Sequence, residues 1–233
     1  MAEPLPIVLI PGLLCSARMY QAQIPALWRH GPVTVADHTR DDSMAGIASR
    51  ILAQAPPRFA LAGLSMGGYI AFELLRQAPG RVARLALLDT QARADTPEQS
   101  ERRRSQITLA QAGRLLEVAD QQFPLMISAA RHDDPELRAL NHEMAADVGA
   151  EAFARQQTAI IGRIDSRPGL AAIACPTLVL VGQNDVLTPP DRAQEMAEAI
   201  GGARLVVIPD SGHLSAAEQP EAVTAALEAW LEG

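Results

Sequence analysis

Six short, mainly apolar runs punctuate this chain: IVLI (7–10), VTVA (33–36), FALAGL (59–64), RLALLD (84–89), TLVLVG (177–182) and RLVVIP (204–209). None alternates polar with apolar residues, the pattern expected of strands buried on both faces of a parallel sheet. Helical spacing fills the stretches between them. Residues 43–54 open at a candidate N-cap, Ser43, and carry Met44, Ile47, Ile51 and Leu52 at helical intervals. Residues 66–78 stop at Pro79-Gly80, and residues 189–200 open on Pro189-Pro190-Asp191, where a first turn tolerates proline. Residues 219–231 form a last helix. This alternation predicts an α/β fold, a parallel sheet with helices on both sides.

One interval breaks the rhythm. From Gln91 to about Ala174 only polar helical pieces are readable, more than 80 residues and far too many for a plain connection. The expected organisation is a core of residues 1–90 and 174–233, with 91–173 inserted as a helical cap over one end of the sheet.

Charge and composition narrow the chemistry. The formal charge is −7 with both signs mixed along the chain, which argues against nucleic acid and against an anionic membrane surface. A small anionic substrate stays open, because one local arginine suffices for it. All 20 basic residues are arginine, so Schiff-base chemistry and a Walker A loop are excluded for want of a lysine. Cys15 and Cys175, the two cysteines, have neither disulfide-framework nor zinc spacing. The N-terminus lacks the features of a signal peptide, and no uncharged run approaches the roughly 18 residues of a membrane span. The expectation is a soluble, cytoplasmic monomer or homodimer that acts on a small molecule without cofactor or metal.

The segment Gly63-Leu64-Ser65-Met66-Gly67 fits G-x-S-x-G between a strand and a helix. Serine at such a turn is held in a strained conformation, and small flanking residues keep strand and helix from clashing. The helix N-terminus offers N–H groups to a developing oxyanion. A glycine-rich turn with an incidental serine is the competing reading. Serine also needs a base, and the base a carboxylate. Asp185, in LVLVGQNDVLTPP, and His213, in LVVIPDSGHLSAAEQP, both follow the C-terminal ends of strands, the edge where open α/β sheets build their sites.

Together GLSMGG, LVGQNDVLTPP and DSGHL resemble the nucleophile, acid and histidine motifs of the α/β-hydrolase superfamily, over roughly residues 5–90 and 174–231. The resemblance implies Ser65 as nucleophile, His213 as base and Asp185 as its partner, with Asp89 as an alternative acid and Asp210 as a turn residue. Relatives that are larger start with an extra hairpin. The early first strand here implies its absence, and a six-stranded, mostly parallel sheet ordered 2-1-3-4-5-6. GLSMGG is similar to the elbow of enol-lactonases and small carboxylesterases. The implied activity is hydrolysis of a carboxylic ester or lactone of a small, largely apolar substrate. The alternatives are a carbon–carbon bond hydrolase, a perhydrolase-like enzyme, or a non-catalytic binding member.

Family members commonly carry His-Gly after the first strand, where this chain has Pro11-Gly12. Met66 N–H and Leu13 N–H are the expected oxyanion donors, with Leu14 as the next choice. Cys15 and Ser16, in the same loop, read as structural. Leu14, Phe123, Met126, Met144 and Leu187 are candidate pocket walls, each with plain core as its competing reading. His132 and His142 read as solvated or core residues. SERRRSQ reads as a solvated helix face, or as the source of an inward arginine for a substrate carboxylate.

Overall fold

The computed structural model describes residues 4–233. All six apolar runs are strands: β1 (Ile7–Ile10), β2 (Val33–Val35), β3 (Phe59–Leu64), β4 (Val82–Leu88), β5 (Thr177–Gly182) and β6 (Arg204–Ile208). They pair in the order β2-β1-β3-β4-β5-β6, every pair parallel. The strand order reverses between β1 and β3, and the loops at the C-terminal strand ends share one edge of the sheet.

Alternation is present, but both faces are apolar. In β1, Ile7 and Leu9 join one core cluster, while Val8 and Ile10 join the other. In β3, Ala60, Ala62 and Leu64 divide from Phe59 and Leu61 in the same way. Burial on both faces holds throughout β1, β3 and β5. It fails at β2 and β6, which keep partly exposed residues because an edge strand has a neighbour on one side only. The fourth strand ends at Leu88 rather than at Asp89, whose φ of 45° takes the chain out of the extended conformation.

Helices α1 (Ile24–Leu27), α2 (Met44–Gln54) and α3 (Met66–Gln77) precede the fourth strand. Ser43 caps α2 by accepting the Gly46 N–H. The stretch between β4 and β5 contains no strand; it holds α4 (Pro97–Leu109), α5 (Leu115–Met126) and α6 (Pro135–Ile161). A capping box of Thr96 and Gln99 starts α4, Asp134 caps α6, and α6 is broken at Gly149. The chain then returns through α7 (Pro190–Ala199), α8 (Ser215–Glu218) and α9 (Pro220–Glu232).

Ile47 and Ile51 of α2, Ile70 and Leu74 of α3, and Met196 of α7 belong to one core cluster. Leu27 of α1 and Val223, Leu227 and Trp230 of α9 belong to the other. A third, smaller cluster joins Ala110, Val118, Ala119, Ala145 and Phe153 of the insertion to Leu14 from the loop after β1. The insertion is thus fastened to the loop that sequence reading assigns to the oxyanion.

Candidate active site

Ser65 stands between β3 and α3 with φ 54° and ψ −113°. Such a conformation costs a non-glycine residue about 1–3 kcal/mol. Its neighbours Leu64 and Met66 are fully buried, and burying each contributes ~1.5–3 kcal/mol, enough to hold the strain. Hydrogen bonds fix the turn: Ser65 N–H donates to the Leu88 carbonyl at 2.9 Å, and Thr90 Oγ1 donates to the Ser65 carbonyl at 2.7 Å. The flanking glycines are sterically required. A Cβ on Gly63 would strike the Gly67 carbonyl, and one on Gly67 would strike the Ile10 carbonyl.

His213 follows β6 and reaches back across the sheet edge. Its Nε2 lies 2.8 Å from Ser65 Oγ, and its Nδ1 lies 2.7 Å from Asp185 Oδ2. With Nδ1–H donating to a carboxylate, Nε2 is left to accept the serine proton. Asp185 is itself held from three sides. Its Oδ1 accepts Leu187 N–H at 2.8 Å and Thr188 N–H at 2.9 Å, while Oδ2 accepts Thr188 Oγ1–H at 2.8 Å. Burial pushes the Asp185 carboxyl upward, but the charge and hydrogen bond of His213 and the Thr188 donors outweigh it, so it sits below the ordinary range. Burial likewise opposes the charged form of His213, and the Asp185 carboxylate overrides it, leaving the imidazole above its ordinary value.

Asp89 does not hydrogen-bond to His213. Its Oδ1 accepts Gly182 N–H at 2.8 Å and its Oδ2 pairs with the Ser215 hydroxyl, so it pins the start of the loop that carries Asp185 and the end of the loop that carries His213. Asp210 lies in the turn after β6, with φ 51°.

A third carboxylate near the histidine was not singled out from sequence. Glu218, buried at 3% exposure, accepts Gly212 N–H at 2.7 Å and Ser128 N–H at 2.8 Å. It therefore ties the histidine loop to the insertion, and Leu214 N–H adds a bond to the Met126 carbonyl at 2.9 Å. Gly212 permits this closeness, since a Cβ there would overlap the backbone of Ile127 and Ser128. The available signal was an acidic residue inside the small apolar run Ser215-Ala216-Ala217-Glu218.

Around the loop after β1, Leu14 N–H donates to Gln156 Oε1 of α6 at 3.1 Å. Leu13 N–H and Met66 N–H have no acceptor among the described residues. Gln156 Nε2 also meets His38 Nε2 at 3.0 Å, and that nitrogen lies 2.9 Å from the Gly12 carbonyl. The loop is thus gripped by two buried side chains distant in sequence, neither flagged by any motif. Cys15 lies in the same loop, but burial pushes its thiol up to about 12, which keeps it protonated. Ser16 Oγ donates to Asp147 of α6 at 2.7 Å.

Ser65, His213 and Leu13 open onto a cavity of about 340 Å³, within the usual range for small-molecule sites. Met126 and Leu187 line it. Leu14, Phe123 and Met144 do not: each is buried among core neighbours, Leu14 in the insertion's cluster and the other two in the cluster of Ile7 and Leu9. Polar side chains also face the cavity: Gln91, Gln99, Gln106, Arg102 and Arg103. His132 and His142 lie elsewhere, His142 Nε2 2.8 Å from Asp120 on the surface. Among the described residues no group of three or more His, Cys, Asp or Glu could hold a metal ion, and no helix is long and apolar enough to cross a membrane.

A serine elbow at the C-terminal edge of a parallel sheet, met there by a histidine and an aspartate from the last two strand ends, defines a class of hydrolases. The chain belongs to the alpha/beta hydrolase fold family, whose model matches residues 6–220. A thermophilic esterase from Thermogutta terrifontis, solved with malate bound, superposes with a TM-score of 0.89 at 33% identity, over 99% of this chain and 90% of that one. The enol-lactonase from Burkholderia xenovorans superposes with a TM-score of 0.89 at 27% identity, over 100% of this chain and 93% of that one. A putative non-heme bromoperoxidase of Mycobacterium tuberculosis is 31% identical over 183 residues, 74% of this chain and 67% of that protein.

Proposed function

We propose that this hydrolase cleaves small carboxylic esters or lactones through an acyl-enzyme on Ser65. The observation that carries the reading is the relay from Ser65 Oγ to His213 Nε2 at 2.8 Å, and from His213 Nδ1 to Asp185 at 2.7 Å. Ser65 Oγ attacks the carbonyl carbon as its proton passes to His213. The oxyanion is met by Leu13 N–H and Met66 N–H. Collapse re-forms the carbonyl and breaks the bond from its carbon to the alkoxy oxygen, and His213 returns the proton to the leaving alkoxide. In a lactone that alcohol stays attached to the acyl group. Water, deprotonated by His213, then attacks the acyl-enzyme, releasing the acid and restoring the serine. Asp185 keeps the imidazole oriented and stabilises its cationic form. The insertion, residues 91–173, serves as a cap that closes the cavity over Ser65.

Similarity to an esterase and an enol-lactonase favours this class of bond. A second reading, favoured by the similarity to a protein named a bromoperoxidase, has hydrogen peroxide intercepting the same acyl-enzyme in place of water, giving a peracid.

The test is labelling with a fluorophosphonate probe together with turnover of p-nitrophenyl esters and simple lactones. Labelling and turnover in the wild type, both abolished in Ser65→Ala, are expected. Turnover that survives in Ser65→Ala overturns the assignment. Peracid formation faster than ester hydrolysis in the presence of peroxide selects the second reading.

A further inference from the structure

The cavity over Ser65 has an unusual charge balance. No aspartate or glutamate lines it, whereas Arg102 and Arg103 of α4 both do. Arg103 is committed: its Nε lies 2.7 Å from Asp95, which is almost fully enclosed, and its Nη1 donates to Gln157 at 2.8 Å. Arg163 also pairs with that single carboxylate, at 2.6 Å, and stacks 4.3 Å from the ring of Tyr69, another cavity residue. Arg102 has no carboxylate within salt-bridge distance among the described residues. Its nearest acidic neighbours on the helix are engaged elsewhere. Glu101 pairs with Arg104 at 3.1 Å, and Glu98 turns back to Thr96 and the helix start. Arg103 and Arg163 therefore share the one Asp95 carboxylate, and Arg102 is left at the cavity without one, in a molecule whose net charge is −7.

Cationic excess in a cleft draws anions and repels cations. A guanidinium with open donors is geometrically suited to a carboxylate, which it can hold through two parallel hydrogen bonds. Glutamine amides at positions 99 and 106, on the same helix, supply neutral donors beside it. We infer that Arg102 determines specificity here, and that the substrate carries a carboxylate in addition to its scissile ester or lactone. This rests on Ser65 being the nucleophile, as proposed above. The reacting carbonyl lies at Ser65, the charged end lies under α4, and the spacing between them selects chain length.

The experiment compares kcat/KM for the monomethyl esters of succinate, adipate and suberate with that for methyl butanoate, hexanoate and octanoate. The wild type should prefer a carboxylated ester, at one chain length, by about tenfold or more. Arg102→Gln should reduce that ratio by a similar factor through KM, Arg102→Lys should keep part of it, and added salt should erode it. Arg104→Gln, which alters a surface pair with Glu101 outside the cavity, should leave the ratio as it is. An equal ratio in wild type and Arg102→Gln overturns the inference, as does a wild type that favours neutral esters at every length. Fluorophosphonate labelling of Ser65 separates the two claims: labelling without anion preference defeats only the role of Arg102, and absence of both labelling and turnover defeats the nucleophile as well.

Discussion

Gln156, in the second half of α6, accepts the backbone N–H of Leu14 at 3.1 Å, although 142 positions separate the two in sequence. This bond bears on the two candidate donors on the loop after β1. The Leu14 N–H is occupied, and Leu13 N–H has no acceptor among the described residues, so the insertion helps to set the loop beside Ser65.

Gln156→Leu should therefore misplace Leu13. The substitution strands the Leu14 N–H and removes the amide beside His38, at a cost of about 1–3 kcal/mol in stability. If the loop carries an oxyanion donor, kcat should also fall about tenfold or more while KM changes little. Steady-state kinetics set beside urea unfolding measure both. A loss of stability with unchanged kcat would make the amide a structural prop alone.

Ser65→Ala and His213→Ala should each lower kcat by roughly four orders of magnitude, since the groups act as one unit. Neither should unfold the protein. Circular dichroism paired with ester turnover provides the check. Near-normal turnover in either variant contradicts the proposed mechanism.

The pH profile follows from His213. An imidazolium cannot accept the serine proton, so kcat/KM must fall as pH drops through the His213 pKa. Burial works against the cation, but the Asp185 carboxylate prevails and lifts the imidazole above its ordinary 6.5. The acid limb should consequently lie above that value. Asp185→Asn removes the charge and should shift the limb downward while cutting the rate by about 10³–10⁴-fold. A wild-type limb well below 6.5 would count against the pairing.

Asp89 should leave its mark on stability. Burial and the nearby Asp185 charge push its carboxyl from 3.8 to about 8. Between those values the folded protein holds a proton that the unfolded chain has lost. Stability should therefore decline as pH rises across that window. Asp89→Asn takes no part in that titration, and its amide can donate to the Ser215 hydroxyl in place of the bond that the hydroxyl now donates. Urea midpoints across the window should slope downward more steeply for the wild type than for the variant. Equal slopes would place the Asp89 pKa near its ordinary value.

Much of this architecture was legible along the chain because its signals are local. Unbroken apolar runs gave the sheet, glycines at 63 and 67 marked a turn where strand and helix backbones touch, and Ser43 marked a helix start. Asp185 and His213 were readable as residues just past strand ends, since a parallel sheet brings all such ends to one edge. Other features left no local trace. The partners of Leu14, Gly212 and Ser128 are Gln156 and Glu218, ordinary polar residues that gain meaning only from the backbone groups they meet. Which arginine of Arg102-Arg103-Arg104 faces the cavity uncompensated depends on α4 presenting Arg103 to Asp95, while Arg104 pairs with Glu101 one turn back on the same helix. Sequence by itself determined the repeating strand–helix pattern and the chemistry available at the sheet edge, because backbone propensity and burial act over a few residues. Tertiary structure alone decided which buried polar groups are satisfied by which partners and where charge is left unbalanced, because those depend on distances between segments that packing brings together.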